Sequence, residues 1–169
     1  MTESTEPGAI DGARFRKVLG NYPTGVTLVT AFDEGPCAMV IGSFGSVSLD
    51  PPLVQFMPAK SSTTWERIER SGAYCVNVLG SHQLDLCNSF FDKSKDPFDA
   101  IEWRPGPSGS PIVEGSLAYI DCTIDAAHDA GDHYIVVGAV LDMDVIDDAA
   151  SPLLFFRGGY GDYAPMAKD

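Results

Sequence analysis

Ala118-Tyr-Ile-Asp-Cys-Thr-Ile-Asp-Ala126 places apolar residues at Ala118, Ile120, Cys122, Ile124 and Ala126, with Asp121, Thr123 and Asp125 polar between them. Side chains on a strand point alternately to opposite faces, so this period of two predicts an antiparallel strand with one wet face. Leu141, Met143 and Val145 alternate with Asp142 and Asp144 in the same way. Toward the N-terminus the texture stays β-like. Residues 24–32 are rich in β-branched side chains and end at Asp33-Glu-Gly-Pro36, a hairpin-type turn. Residues 37–42, 53–57, 73–79 and 152–156 read as further strands. Helices are expected only at 9–19, 64–70, 81–92 and 96–101, with a Gly/Pro/Ser loop at 104–111. Many short strands with few short helices predict a mainly β protein, a barrel with helical insertions.

The 169 residues suffice for one domain, which we expect over 9–165 behind a disordered polar tail at 1–8. With 44% apolar and 21% charged residues, the chain carries enough hydrophobic material for one core without covalent staples. Eleven basic against 24 acidic residues give a net charge of −13, which repels phosphate backbones and anionic lipid. Nucleic acid and membrane are therefore not expected as partners. Any small anionic ligand must meet a local positive site. Cys37, Cys75, Cys87 and Cys122 are widely spaced and predict buried free thiols rather than a zinc site or disulfide framework. With no leader and no apolar run near bilayer length, a cytoplasmic protein is expected.

Three stretches could carry chemistry. Thr63 and Glu66 have the spacing of a capping box, and Lys60 with the hydroxyls of Ser61, Ser62, Thr63 and Thr64 crowds the expected helix start. Free N–H groups and partial positive charge at such a start suit a phosphate, although a plain Ser/Thr cap has the same pattern. Gly131-Asp-His133 opens a strand; by itself it reads as ordinary exposed structure. His82 and His128 lie in polar surroundings and are expected at the surface, and no spacing fits a metal site. Gly42 to Val54 is small and hydroxylated, letting a ligand approach the backbone, and no dinucleotide-type glycine motif accompanies it.

Taken in order, Pro23-Thr-Gly-Val-Thr-Leu-Val-Thr30, Ser43-Phe-Gly-Ser-Val-Ser-Leu-Asp-Pro-Pro-Leu-Val54, Tyr74-Cys-Val-Asn-Val-Leu79, Gly131-Asp-His133 and Pro152-Leu-Leu-Phe-Phe156 resemble the flavin reductase family. These are the small NAD(P)H:flavin oxidoreductase components of two-component flavin monooxygenases. Residues 110–122 are similar to members serving actinobacterial steroid-ring hydroxylases, with those serving phenolic hydroxylases close behind. The resemblance implies an FMN-binding split β-barrel, a homodimer, and FMN or FAD with NADH as redox partners. It implies that reduced flavin passes to a separate oxygenase. By residue, Met39, Val40, Ile41, Gly42 and Ser43 would line the flavin ring, and Ala59, Lys60, Ser61, Ser62, Thr63 and Thr64 would hold its phosphate. Phe90 and Lys93 would lie near the cofactor, His133 beside the nicotinamide, and Tyr160 would close that pocket. Many relatives carry Thr and Asn where this chain has Val40 and Gly42, leaving backbone groups to serve the ring. The alternative within the same fold is a flavin-binding or electron-transfer protein without NADH oxidase activity.

Overall fold

A computed structural model describes residues 10–92 and 94–166; the tail at 1–8 and Lys93 lie outside the described residues. Its centre is a seven-stranded antiparallel sheet built from β2 (Thr27–Phe32), β3 (Pro36–Ile41), β4 (Gly45–Leu49), β5 (Pro52–Phe56), β6 (Ala73–Val78), β9 (Ala118–Ala130) and β10 (His133–Val145). Their order across the sheet is β3-β2-β6-β9-β10-β5-β4. A small sheet of β1 (Thr24–Gly25), β11 (Leu154–Phe156) and β12 (Gly159–Gly161) flanks it, and β7 (Trp103–Pro105) pairs with β8 (Pro111–Val113). Helices α1 (Gly12–Leu19), α2 (Thr63–Ser71) and α3 (Leu84–Ser89) complete the fold. Among the described residues no helix is long and apolar enough to cross a membrane.

β2 carries five successive buried residues because the sheet is covered on both faces. On one side Val29, Phe56, Tyr74, Val76 and Val136 pack around Trp65 and Ile68 of α2. On the other, Val26, Leu28, Leu79, Val113 and Leu153 meet Cys87 of α3. All four cysteines are buried free thiols.

Several expected elements change. α1 begins at Gly12 because the Asp11 side chain accepts from the Arg14 N–H at 2.8 Å and caps it there. The helix expected over 81–92 is a 3-10 turn at Ser81–Gln83 followed by α3, and that over 96–101 shrinks to a 3-10 turn at Pro97–Asp99. The ends of the expected 104–111 loop are strands β7 and β8. β4 and β12 are additional strands, and 152–156 contributes only Leu154–Phe156 to β11.

Asp121 is the sharpest correction. The alternation places it on a wet face, yet it is fully buried. The 106–110 loop folds over it: Ser108 donates from its N–H at 2.7 Å and from its hydroxyl at 2.6 Å to the two carboxylate oxygens. Burial raises the Asp121 pKa, with the Ser108 bonds opposing the shift. A raised carboxyl pKa means the folded chain binds this proton more tightly than the unfolded one. Its contribution to stability is therefore lost as pH rises from the ordinary 3.8 through the raised value. Urea melts between about pH 4 and 7 should show Asp121→Asn flattening that part of the profile. Asp121→Ala, which orphans Ser108, should cost about 1–3 kcal/mol throughout. An unchanged profile for Asp121→Asn would mean the carboxylate is solvated.

Candidate functional site

The turn before α2 begins with Ser62 N–H donating to the Ala59 carbonyl at 3.0 Å. Ser62 is extended, and its hydroxyl accepts from the Trp65 N–H at 3.2 Å, so Ser62 rather than Thr63 caps the helix. With Thr63 already the first helical residue, the expected Thr63–Glu66 box does not form. Burial of Trp65 and Ile68 holds α2 on the sheet, and Arg67 donates to the carbonyls of Asp33 and Gly35 at 2.7 and 3.0 Å. The helix start is thus a rigid feature, fixed from below by packing and from the side by the β2–β3 hairpin.

β9 and β10 form one long hairpin joined by Gly131-Asp132, and His133 is the first residue of β10. The turn before α2 adds to its edge as a short ladder. Tyr134 N–H donates to Pro58 O at 3.0 Å, Lys60 N–H donates to Asp132 O at 3.0 Å, and Ala59 bridges His133. Segments some seventy positions apart therefore share one patch. Around it, Lys60 pairs with the Asp129 carboxylate and lies 5.2 Å from the Tyr134 ring centroid. That ring is 5.7 Å from Trp65. The Asp129 hydrogen bond raises the Lys60 pKa, keeping the ammonium charged. His133 Nδ1 lies 2.7 Å from Asp132 Oδ1, and this bond holds the Asp132 carboxyl below its ordinary range. One imidazole nitrogen is thereby engaged and the ring, 45% exposed, keeps the other for a ligand.

β3 is an outer strand of the sheet, so the far side of its backbone has no strand partner among the described residues. Met39 packs on the core that holds Trp65, Val40 on the opposite core, and Ile41 is buried. Beyond Gly42, Ser43 accepts from the Met57 N–H at 3.0 Å. That bond ties the end of β3 to the segment that runs two residues later into Ala59. A Cβ on Gly42 would stand 3.0 Å from Thr24 Oγ1, so a side chain there requires Thr24 to give way. Thr64 and Phe90 line one pocket of about 300 Å³ together with Ala38 and Arg67. Phe90 is stacked edge-on against Phe98 at 5.6 Å.

Tyr160 lies on β12, paired across the hairpin with Phe155 at 5.3 Å between rings, and its hydroxyl is 3.7 Å from Cys87 Sγ. Lys93 lies outside the described residues. Asp129, Tyr134 and Trp65 went unnoticed in the sequence, since only folding brings them to Lys60. His82 and His128 are exposed, as expected.

A capped helix start and a half-exposed histidine are joined by main-chain hydrogen bonds, and the end of β3 is tied to the same segment through Ser43 and Met57. Residues 19–164 match the flavin reductase like domain, and the chain belongs to that family. It is 52% identical over 160 residues to a flavin reductase of Pseudomonas putida, covering 94% of both chains. It is 46% identical to the reductase subunit of a flavin-dependent monooxygenase of Rhodococcus jostii, covering 98% of this chain and 87% of that one. Relatives at 42% and 35% identity are an FMN reductase (NADH) of Agrobacterium fabrum and an NADH-dependent FAD reductase of Streptomyces globisporus, each covering 94% of this chain and 90% of the relative. Among solved structures, nitrilotriacetate monooxygenase component B of Mycobacterium thermoresistibile superposes with a TM-score of 0.88 at 44% identity, covering 96% and 95% of the two chains.

Proposed function

We propose that this protein is an NADH-dependent flavin reductase that reduces FMN or FAD and supplies the reduced flavin to a separate oxygenase. The observation that carries the reading is the main-chain ladder joining Pro58–Lys60 to Asp132–Tyr134, because it sets a phosphate-type helix start beside His133. Family membership and the NADH-dependent relatives support it. The residues present fit a flavin. The free edge of β3 from Met39 to Ser43 offers backbone N–H and C=O groups to a flat ring, and Gly42 carries no side chain to obstruct it. Ala59, Lys60, Ser61, Ser62, Thr63 and Thr64 would hold the phosphate, with Phe90 beside Thr64. Bound flavin supplies the redox chemistry by accepting a hydride from NADH.

The chain's own task is orientation. Asp132 fixes the His133 ring through Nδ1, leaving Nε2 to meet the nicotinamide, and the ladder to Ala59 keeps that ring a fixed distance from the helix start. Lys60 supplies positive charge on a strongly acidic protein.

Residues 9–165 are read as one domain and the seven-stranded sheet as a split barrel. Four unpaired thiols fit a reducing, cytoplasmic location. We also read the protein as a homodimer: Phe15, Val18 and Leu19 of α1 and Leu141, Met143 and Val145 of β10 are all more than half exposed. Light scattering should return twice the 18.1 kDa chain mass, and a flavin-binding monomer would refute the dimer. Function is tested by following NADH absorbance with FMN or FAD under air. Sustained NADH loss is the expected result, and without oxygen the reduced flavin should reach cytochrome c across a dialysis membrane. A yellow protein that leaves NADH untouched would instead be a flavin-binding module.

A further inference from the structure

On a chain of net charge −13, three cations converge where no site has yet been placed. Arg16 and Lys17 in the last turn of α1 and Arg157 at the β11–β12 turn line an open pocket of about 570 Å³ with Gly20, Asn21 and Gly158. None of the three forms an ion pair among the described residues.

The pocket is built rather than accidental. Phe156 pairs with Gly159, which leaves Arg157 and Gly158 as a two-residue turn with φ of +51° and +80°. Two positive φ values define a type I′ turn, whose first position favours Asn, Asp or Gly. Arginine is strained there, and such strain gathers at functional positions. The side chain is anchored at one end only. Its Nε donates to Asn21 Oδ1 at 2.9 Å, its guanidinium carbon is 4.8 Å from the Phe156 ring centroid, and its backbone N–H donates to Gly20 O at 3.0 Å. The two terminal amino groups have no partner among the described residues, an arrangement suited to bidentate capture of a phosphate.

A helix C-terminus ordinarily repels anions through its free carbonyls. Here every carbonyl from Arg16 to Gly20 already accepts a hydrogen bond, from Gly20, Asn21, Tyr22 and Arg157 N–H groups and the Asn21 amide. A second pocket, of about 360 Å³, is lined by Pro23, Phe156, Tyr160 and Asp162. Phe156 links the two: its ring lines the second pocket and meets the guanidinium of Arg157, which lines the first. A cationic pocket beside an aromatic slot matches a phosphate chain attached to a flat base.

We propose that Arg16, Lys17 and Arg157 bind the pyrophosphate of NADH, with its adenine in the Phe156–Tyr160 slot, apart from the flavin phosphate site at the start of α2. The inference rests on the reading that NADH and flavin are the substrates. FAD contains the same ADP moiety, but its pyrophosphate includes the flavin phosphate assigned to the start of α2, so the test must separate the two. Calorimetry with ADP alone, which carries neither nicotinamide nor flavin, should detect salt-sensitive binding to the wild-type protein. Arg157→Asn puts a residue favoured in the turn at that position, so its Tm should hold or rise while ADP affinity falls about 10- to 100-fold. Arg16→Gln with Lys17→Gln, on an exposed helix face, should also weaken ADP and serves if the turn variant folds poorly. In steady state the KM of NADH should rise by a similar factor in these variants, and the KM of FMN and of FAD should not. Absence of ADP binding in the wild type, equal ADP affinity in all variants, or an unchanged KM for NADH would overturn the proposal. Turnover of saturating NADH with riboflavin reports separately on the reductase reading, since riboflavin has no phosphate.

Discussion

Gly138→Ala should lose at least about 3 kcal/mol of folding stability, the upper end of what overpacking a core costs. Gly138 sits in β10 at a register shift and is buried. An added Cβ would stand 2.0 Å from Tyr74 Oη, 2.6 Å from Cζ and 3.0 Å from Cε1. Tyr74 cannot retreat: it is fully buried and packed edge-on against Phe56 at 4.9 Å. Domain stabilities are only about 5–15 kcal/mol, so a large part of the stability margin is at risk. The Tyr74 hydroxyl has no oxygen or nitrogen partner among the described residues. Tyr74→Phe alone should therefore be neutral or slightly stabilising, since it removes a buried orphan. In the double variant the closest contact disappears while the ring carbons remain. Urea melts should then show the pair less destabilised than Gly138→Ala alone, a positive coupling between touching residues. If Gly138→Ala melts with the wild type, β10 can slide, and the hairpin is a looser support for His133 than its pairing implies.

That support is also where sequence reading reached its limit. The strand at Thr27–Phe32 was legible because β-branched residues favour a pleated surface whatever covers it. The alternation in 118–126 predicted a strand correctly and its environment wrongly. Period two says that two faces differ; it does not say that a loop from residue 106 will close over Asp121. β4 and β12 were missed because Gly and Ser carry little strand preference, and their pairing comes from β5 and β11. At the site, the residue types around Lys60 and His133 were legible, and the Asp129 partner of Lys60 was not. Asp129 meets Lys60 only because the hairpin folds back on the turn before α2, a contact between distant positions that no local pattern encodes.

His133→Asn should lower the rate of hydride transfer by about a hundredfold and raise the KM for NADH, the signature of lost alignment rather than lost acid. His133 Nδ1 is committed to Asp132 at 2.7 Å. The same bond keeps the Asp132 carboxyl below its ordinary range, so the carboxylate persists across neutral pH and fixes which ring nitrogen it faces. Such an arrangement orients Nε2. Hydride transfer carries two electrons with the hydrogen itself, so no protein proton has to move in that step. A positioning histidine therefore predicts a rate nearly independent of pH. A proton-donating histidine predicts a wild-type rate that falls as pH rises, with Asn abolishing the fall. Asp132→Asn separates the two further. It removes the carboxylate that aligns the ring and leaves the imidazole in place, so under positioning it should reproduce part of the KM defect without creating a pH dependence. Flavin affinity should survive both substitutions, because α2 starts in a different segment and owes its fixed position to Trp65, Ile68 and Arg67. Stopped-flow measurements from about pH 5.5 to 8.5 on wild type and both variants decide the matter. A wild-type rate that falls with rising pH would transfer His133 from alignment to acid catalysis, and loss of flavin binding in His133→Asn would place it in the flavin site instead.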